Sequence, residues 1–437
     1  MIPTVGILAD YEPHQSAAAF HEDESGKDRV IVAPIRSGKT FAVLHEILVV
    51  AWNNPTDFPV LVMAPTNQQL RDINIRPLYE LLLYYGVTND KLYNKSENII
   101  TLKNGKRIYG RSAESFERIR GLTIYESFID EAALCSKEAI DVVKGRMLTT
   151  KGRLNLITTP KGKNNWVYTD YFQQYYDVGL DPYNRDDLDT NFYKFNIFDN
   201  PAITQEAFEK LLKQYDSLNA KQELYGEFVN LYESLVYREF DRGIHLVDNT
   251  PADPENIWIG VDWNVGIHAA IVMTRVGDTI YCIDEFYNNQ DVVELGQRIV
   301  RKYGTEPVIV TDAMNAQSNR ILLRQCGLHK IVETKSNPKR VDRYNAVNIH
   351  LKNAAGDVSM YINKSCNNLI ADLEMLVYKS GTDVPDTGGE KYGHISDAMG
   401  YCLLQMSPNY AHKQKKMTYT ENLFHEIKRE RLHNFGR

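Results

Sequence analysis

The chain has 437 residues, 43% of them hydrophobic and 24% charged, and a formal net charge of −7. That length exceeds one ordinary core and favours two or three domains, while the acidic balance argues against a generic basic nucleic-acid coat without excluding local basic grooves or tails. No apolar run approaches the ~18 residues of a membrane helix and the acidic N-terminus is unlike a signal peptide, so a cytosolic protein without a membrane partner is expected.

Through the first ~200 residues, short apolar strands alternate with longer helical patterns, the signature of an α/β parallel sheet. Ahead of them, Tyr11-Glu-Pro-His-Gln15 offers Gln15 as a candidate for an adenine edge, because a carboxamide both donates and accepts. A strand at Val30–Ala33 runs through Ala33-Pro-Ile-Arg-Ser-Gly-Lys-Thr40 into a helix at Lys39–Trp52, the setting that a phosphate-binding loop requires. Backbone N–H groups around Ser37 and Gly38 can cradle phosphates, Lys39 can reach the β- and γ-phosphates, Thr40 can ligate Mg²⁺, and Arg36 can add a charge-assisted contact. Ala33 departs from the first glycine of that pattern, which leaves the loop's entry geometry open.

A strand at Val60–Ala64 and a helix at Gln68–Tyr85 follow, then a β-hairpin turning at Asn104-Gly105 between Ile99–Leu102 and Arg107–Tyr109, an insertion within the alternating pattern. The strand Tyr125–Ile129 ends in Asp130-Glu131, where Asp130 would hold Mg²⁺ through water and Glu131 would polarise the attacking water. A helix at Lys137–Met147 leads to the strand Leu154–Thr158, closed by Thr159-Pro160, where a segment sensing the γ-phosphate would lie. The charge-spread transition state of phosphoryl transfer also benefits from an arginine; among Arg118, Arg120 and Arg146, the choice is Arg120, just before Gly121.

From Asp199-Asn-Pro201 to about Glu227 the pattern turns helical, and the polar, proline-containing stretch Tyr237 to Glu255 reads as a domain boundary. The expected division is an ATPase domain over 1–198, a helical subdomain and linker over 199–244, a second domain over 245–408 and a basic tail over 409–437. The second domain opens with three strands, Trp258–Asp262, Ala269–Thr274 and Thr279–Phe286. A helix at Val292–Tyr303, a strand at Pro307–Thr311, a helix at Ser318–Cys326 and a strand at Lys330–Glu333 follow, the order of an RNase H-like fold. The five cysteines, at 135, 282, 326, 366 and 402, form no CxxC pair and read as buried small apolar residues.

Asp262, Asp312 and Asp397 each close or follow a short apolar run in this half. Converging at one edge of an RNase H-like sheet, they would bridge two Mg²⁺ or Mn²⁺ ions that activate a water and stabilise the leaving oxygen in phosphodiester hydrolysis. Asp284 or Glu285, at the end of the third strand, is open as a further ligand, and Glu285 competes with Asp312 for the second acidic position. His394 would orient a ligand or water, and the loop Ser380 to Glu390, with its glycines, suits a strand-admitting gate. The tail His412 to Arg437, rich in lysine and arginine, suits phosphate contacts or docking of a partner.

The order of these motifs resembles the large terminase subunit of tailed bacteriophages over about Tyr11 to Tyr401. The pieces that carry the likeness are Arg36-Ser-Gly-Lys-Thr40, Ala64-Pro-Thr-Asn-Gln-Gln69, Arg120-Gly121 followed by Ile129-Asp-Glu-Ala-Ala133, Thr159-Pro-Lys-Gly162, Gln222-Glu-Leu-Tyr-Gly-Glu-Phe228, Gly260-Val-Asp-Trp263 and Asp397-Ala-Met-Gly-Tyr401. The resemblance implies an ASCE-type ATPase coupled to an RNase H-like nuclease that cuts concatemeric double-stranded DNA and drives it into a procapsid. It further implies ATP with Mg²⁺ at one site and two Mg²⁺ or Mn²⁺ at the other, with Arg120 acting in trans on a neighbour's nucleotide. The partners implied are the portal protein, a small terminase subunit and further copies of the chain in a ring, a pentamer, on the portal. The setting implied is the host cytoplasm, transiently the procapsid, and not the mature virion. The alternatives are a DNA-repair helicase-nuclease, which needs a second helicase lobe, and a nuclease-inactive ATP-gated assembly module.

Overall fold

The computed structural model describes residues 11–150, 152–184, 187–231, 235–251, 253, 256–263, 268–289, 291–313, 316–332, 336–379, 382–389 and 391–407, so the basic tail and parts of the 380–390 loop lie outside the described residues. The chain forms two compact units. The first holds the chain to Gln205 together with Lys221–Val229; the second holds Glu206–Ala220 and the chain from Asn230. The segment 199–244 is therefore shared between the units, its helix Gln205–Leu212 and the helix Ser217–Glu223 lying across the points where the chain passes from one to the other.

In the first unit, β1 (Asp28–Val32), β2 (Val60–Ala64), β3 (Tyr93–Asn94), β4 (Ile99–Thr101), β5 (Arg107–Ser112), β6 (Ser127–Ile129), β7 (Leu154–Thr158) and β8 (Thr190–Lys194) form one sheet in the order β3-β4-β5-β2-β6-β7-β1-β8. The pairs from β5 to β8 are parallel. The hairpin expected at Asn104-Gly105 forms, pairing Thr101 with Arg107, and its second strand extends the sheet by pairing parallel with β2. β2, β6 and β7 are buried at every residue because helices cover both faces, which is why β2 reads as an unbroken apolar run and the others are apolar apart from Ser127, Asn155 and Thr158. Since β7 is inserted between β1 and β6, the ends of three neighbouring strands deliver the phosphate loop, Thr158-Thr159 and Asp130-Glu131 side by side.

Three buried charged residues, Arg29, Glu46 and Glu126, interrupt this core. Arg29 on β1 is fully buried, and its guanidinium donates to Asn155 Oδ1 at 2.5 Å, the Phe20 carbonyl at 3.0 Å and Glu46 Oε1 at 2.9 Å. Glu126, which makes the sequence before β6 less apolar than a typical buried strand, lies 3.3 Å from Arg29 and 3.4 Å from Arg153. Two guanidiniums and the Asn155 amide offset the desolvation of the carboxylates, which satisfies the condition under which buried charge is tolerated.

In the second unit, β9 (Leu246–Val247), β10 (Ile257–Trp263), β11 (His268–Val276), β12 (Thr279–Asn289), β13 (Val308–Thr311), β14 (Ile331–Val332) and β15 (Met360–Asn363) form a sheet in the order β14-β13-β10-β11-β12-β15-β9. β10, β11 and β12 are an antiparallel meander, and β13 and β14 add parallel on the other side of β10, the RNase H-like arrangement expected from the strand order. Helices Val292–Tyr303 and Ala316–Cys326 pack over one apolar cluster, and Arg340–Leu351, Asn367–Met375 and His394–Met406 over the other. Val236 and Tyr237, fully buried, belong to this second core although the sequence reading assigns them to the linker that ends at 244.

Candidate functional site

The phosphate loop is shaped by backbone and side-chain bonds to three other segments. The Ala33 N–H donates to the Thr158 carbonyl at 3.0 Å, the Ile35 N–H to the Glu223 carbonyl at 2.9 Å, and Asn200 Nδ2 to the Arg36 carbonyl at 2.8 Å. Gly226, at φ 67°, fits closely against the loop, since a Cβ there would stand 3.2 Å from Pro34 Cδ. This accounts for the entry without its glycine: Ala33 is held in the register of β7, and Gln222 to Phe228 supplies the outer wall. Arg36 (φ 59°) and Gly38 (φ 85°) take left-handed backbone, uncommon for a residue with a Cβ and a sign of backbone held for function.

Gly38 caps helix Lys39–Asn53 without a side-chain hydrogen bond, so the first-turn N–H groups are left for an anion. Lys39 is buried, donating to Thr159 Oγ1 at 3.0 Å and lying 3.6 Å from Glu131 Oε1. Thr40 follows on the same first turn. Asp130 is buried; its Oδ1 accepts the Glu131 N–H at 3.1 Å and its Oδ2 accepts from Asn74 Nδ2 at 2.7 Å. Burial, and then the neighbouring Glu131 carboxylate, raise the Asp130 pKa, while the Lys39 ammonium opposes both. Glu131 itself is left-handed (φ 50°, ψ 47°), which turns the chain sharply at the strand end. Lys39, Thr159, Asp130 and Glu131 are thus brought together.

Other expected residues stand apart from this cluster. Gln15 is exposed at the start of helix Gln15–His21, and it is the preceding His14 whose ring reaches the loop, its Nε2 lying 3.9 Å from the place of a Cβ on Gly38. Arg36 is exposed. Arg120 is exposed as well and is held by Glu117, with Nε 2.5 Å from Oε2, while its carbonyl accepts from Arg146 at 2.7 Å. Asn74, on a π-helical turn over Leu70–Ile75, was not foreseen: its contact with Asp130 depends on one wide turn that no local pattern announces.

In the second unit, register and close packing assemble the acidic trio. Val261 pairs with Thr311, so Asp262 and Asp312 leave adjacent parallel strands at the same level. Gly260 admits helix His394–Met406 directly onto β10, because a Cβ there would meet the Ala398 carbonyl oxygen at 2.1 Å. Asp397 and His394, three residues apart on one face of that helix, therefore lie over β10, and His394 Nδ1 stands 3.1 Å from Asp262 Oδ2. Burial pushes the Asp397 pKa up to about 6; the Arg343 guanidinium, 3.2 Å from its Oδ1, works against this, and the Asp262 carboxylate adds to it. Burial also raises the Tyr401 hydroxyl; the Arg343 guanidinium opposes this, and the negative charges of Asp397, Asp262 and Asp312 add to it.

Among the described residues no three acidic, histidine or cysteine side chains already stand in a metal-ligating arrangement. The chemistry of the donors nevertheless fits hard divalent cations: all are carboxylate oxygens, and Asp397 Oδ1 is buried without a hydrogen bond. Glu285, the other candidate, is engaged elsewhere: its two oxygens accept from the Asn368 N–H at 2.8 Å, Asn368 Nδ2 at 2.7 Å and the Leu369 N–H at 2.9 Å, so this carboxylate caps helix Asn367–Met375. Asp284 is likewise occupied, by Lys302 at 2.7 Å and Tyr303 at 2.8 Å. Replacing Glu285 with alanine is expected to destabilise the protein by about 1–2 kcal/mol, as loss of a helix cap does, while calorimetric Mn²⁺ affinity stays unchanged. A large drop in that affinity would return Glu285 to the ligand set.

Two further residues support the trio without a local sequence signal. Asp372 accepts the N–H groups of Gly393 at 2.9 Å and Ser396 at 3.0 Å, fixing the start of the helix that carries Asp397. Arg343, on helix Arg340–Leu351, is buried and lies 4.4 Å above the Tyr401 ring.

Residues 30–244 match the family described as terminase large subunit, T4likevirus-type, N-terminal. Among solved structures, the chain is similar to a large terminase from a thermophilic bacteriophage, with 17% identity and a TM-score of 0.63, covering 91% of this chain and 99% of that one. Structures of that bacteriophage's large terminase in complex with ADP and with ATP-γ-S are each similar at 19% identity and a TM-score of 0.61, covering 90% of this chain and 99% of theirs. At these identities the likeness establishes the fold. No curated protein matches the chain, and no helix among the described residues is long and apolar enough to cross a membrane.

Proposed function

We propose that the chain is a large terminase, supported by the family model matched over residues 30–244 and by the shared fold, and that it is the motor subunit that hydrolyses ATP to translocate double-stranded DNA into a procapsid and cuts the concatemer by metal-dependent hydrolysis. One observation carries the reading. A single chain holds Lys39 between Thr159 and Glu131 behind a left-handed phosphate loop, and in a separate unit sets Asp262 and Asp312 at the ends of paired parallel strands with the helix of Asp397 packed directly on Gly260.

In the first unit, loop N–H groups and Lys39 bind the β- and γ-phosphates of ATP, with Ser37 and Gly38 shaping the cradle and Arg36 reaching in from its exposed position. Thr40 and Asp130 hold the Mg²⁺ that accompanies the nucleotide. Glu131 polarises the attacking water, and its contact with Lys39 gives way when phosphate arrives. Thr159 shares Lys39, so the loss of a γ-phosphate alters the bonds of the segment Thr158–Pro160 directly. Gln15 serves the base and His14 the loop. Arg120, exposed and remote in its contacts from its own chain's cluster, suits action on a neighbouring subunit's nucleotide in a ring, a pentamer on the portal.

In the second unit, Asp262, Asp312 and Asp397 would hold two Mg²⁺ or Mn²⁺, which would supply an activated water and charge for the departing 3′-oxygen. His394 fixes the orientation of the Asp262 carboxylate. The further partners of this reading are the portal protein and a small terminase subunit, and its setting is the host cytoplasm and transiently the procapsid, not the mature virion. The test is direct. Purified protein is expected to hydrolyse ATP with Mg²⁺, faster in the presence of portal-bearing procapsids, and to nick supercoiled plasmid with Mn²⁺. Failure of both activities in folded protein sinks the proposal.

A further inference from the structure

Arg343 stands at the heart of the acidic site without the bonds that a buried guanidinium normally makes. It is 3% exposed, and its Nε and Nη1 are buried with no hydrogen-bond partner. Nη2 lies 3.2 Å from Asp397 Oδ1, yet Oδ1 is itself without a hydrogen bond, so the contact is one of charge and not of directed bonding. The guanidinium is held in place by packing: it lies 4.4 Å over the Tyr401 ring, and Gly400 lets the two helices close, since a Cβ on Gly400 would stand 2.9 Å from Arg343 Cβ. Arg29 is treated differently: equally buried, it donates to an amide, a carbonyl and a carboxylate.

A buried arginine with unmade bonds is costly unless its charge is required where it is. The requirement here is Asp397, a half-buried carboxylate whose Oδ1 is itself buried beside the guanidinium, on a helix that also brings His394 to within 3.1 Å of Asp262. Building on the nuclease reading above, we propose that Arg343 is a resident counter-cation of the metal site: it neutralises Asp397 before metal binds, and a divalent ion must displace it from that carboxylate. The undirected contact makes the displacement easy, because no hydrogen bond is broken. The site is thereby kept folded without metal, with a lower metal affinity as the consequence, which sets the divalent concentration at which the carboxylates fill.

The full-length protein tests this with Mn²⁺ alone, in the absence of DNA and nucleotide. The variants are Arg343→Met, which keeps the stem and removes the charge, and Arg343→Lys, which keeps the charge. Isothermal titration is expected to show Arg343→Met binding Mn²⁺ at least about tenfold tighter than wild type, since a full positive charge beside the ion has been removed. Arg343→Lys should bind close to wild type. Without metal, Arg343→Met should melt at lower temperature than wild type, with saturating Mn²⁺ closing most of the gap. In an Asp397→Asn background the charge is no longer needed, and Arg343→Met should bring no gain in affinity. Unchanged Mn²⁺ affinity in Arg343→Met would make the residue purely structural, and weakened affinity would make it a positioner of Asp397; either overturns the proposal while leaving the nuclease reading standing. Absence of Mn²⁺ binding at these carboxylates in both wild type and Arg343→Met would remove the nuclease reading and this proposal together.

Discussion

Substituting Lys39 with alanine is expected to lower ATP turnover by at least about a thousandfold, the scale on which a cation at the transferring phosphoryl group contributes. The ammonium is buried, 3.0 Å from Thr159 Oγ1 and 3.6 Å from Glu131 Oε1, so its removal strips the positive charge from a pocket that retains Asp130 and Glu131. Nucleotide binding and turnover should both suffer. Glu131→Gln separates the two: the amide keeps the shape but cannot take up a proton, so turnover should fall by about 10²–10⁴-fold while a fluorescent ATP analogue still binds. Mn²⁺-dependent nicking by either variant should match wild type, because the acidic trio belongs to the other unit. Nicking that falls together with ATP turnover, in variants that melt normally, would show that the two chemistries are not separable.

What the sequence disclosed and what it hid follow from the range of the interactions involved. Strands β2 and β7 and the helices Lys137–Met147 and Val292–Tyr303 form at the residues expected, because apolar period and length are local properties. Lys39, Asp130 and Glu131 were legible for the same reason, each sitting at a strand-to-helix or strand-to-loop junction whose order on the sheet is fixed by parallel β topology. The trio was legible as three strand or helix ends, but its convergence depends on the register of Val261 with Thr311 and on the missing side chain of Gly260. Glu285 looked equivalent to Asp312 from its position at a strand end. Only the placement of a helix N-terminus from Asn367, more than eighty residues later in sequence, reveals that its oxygens are occupied. Arg343, Asp372 and Asn74 carry no motif at all, since each acts through long-range contacts that no local pattern announces.

The boundary near residue 245 is where sequence and packing diverge most, and it governs the second large effect. A fragment starting at 245 would lack Val236 and Tyr237, both fully buried in the core over which the Asp397 helix packs, and Arg238, whose Nη2 donates to the buried Asp216 at 2.5 Å. Deleting a buried tyrosine and valine opens a cavity worth several kcal/mol, on the scale of about 3–5 for one large aromatic alone. That approaches the whole stability of a domain, ~5–15 kcal/mol. The fragment 245–407 is therefore expected to be largely unfolded by circular dichroism and unable to nick plasmid. A fragment from 206, which keeps Asp216, Tyr237 and Arg238, should fold and cut with Mn²⁺ and without ATP. Within it, Asp262→Ala should abolish cutting without lowering stability by more than about 1 kcal/mol, because removing one of several mutually repelling carboxylates relieves as much as it costs. Robust cleavage by 245–407 would place the catalytic unit inside the narrower limits that the sequence suggests; cleavage by the Asp262→Ala fragment would remove that aspartate from the metal site and, with it, the geometric basis on which β10, β13 and the final helix are read as one nuclease centre.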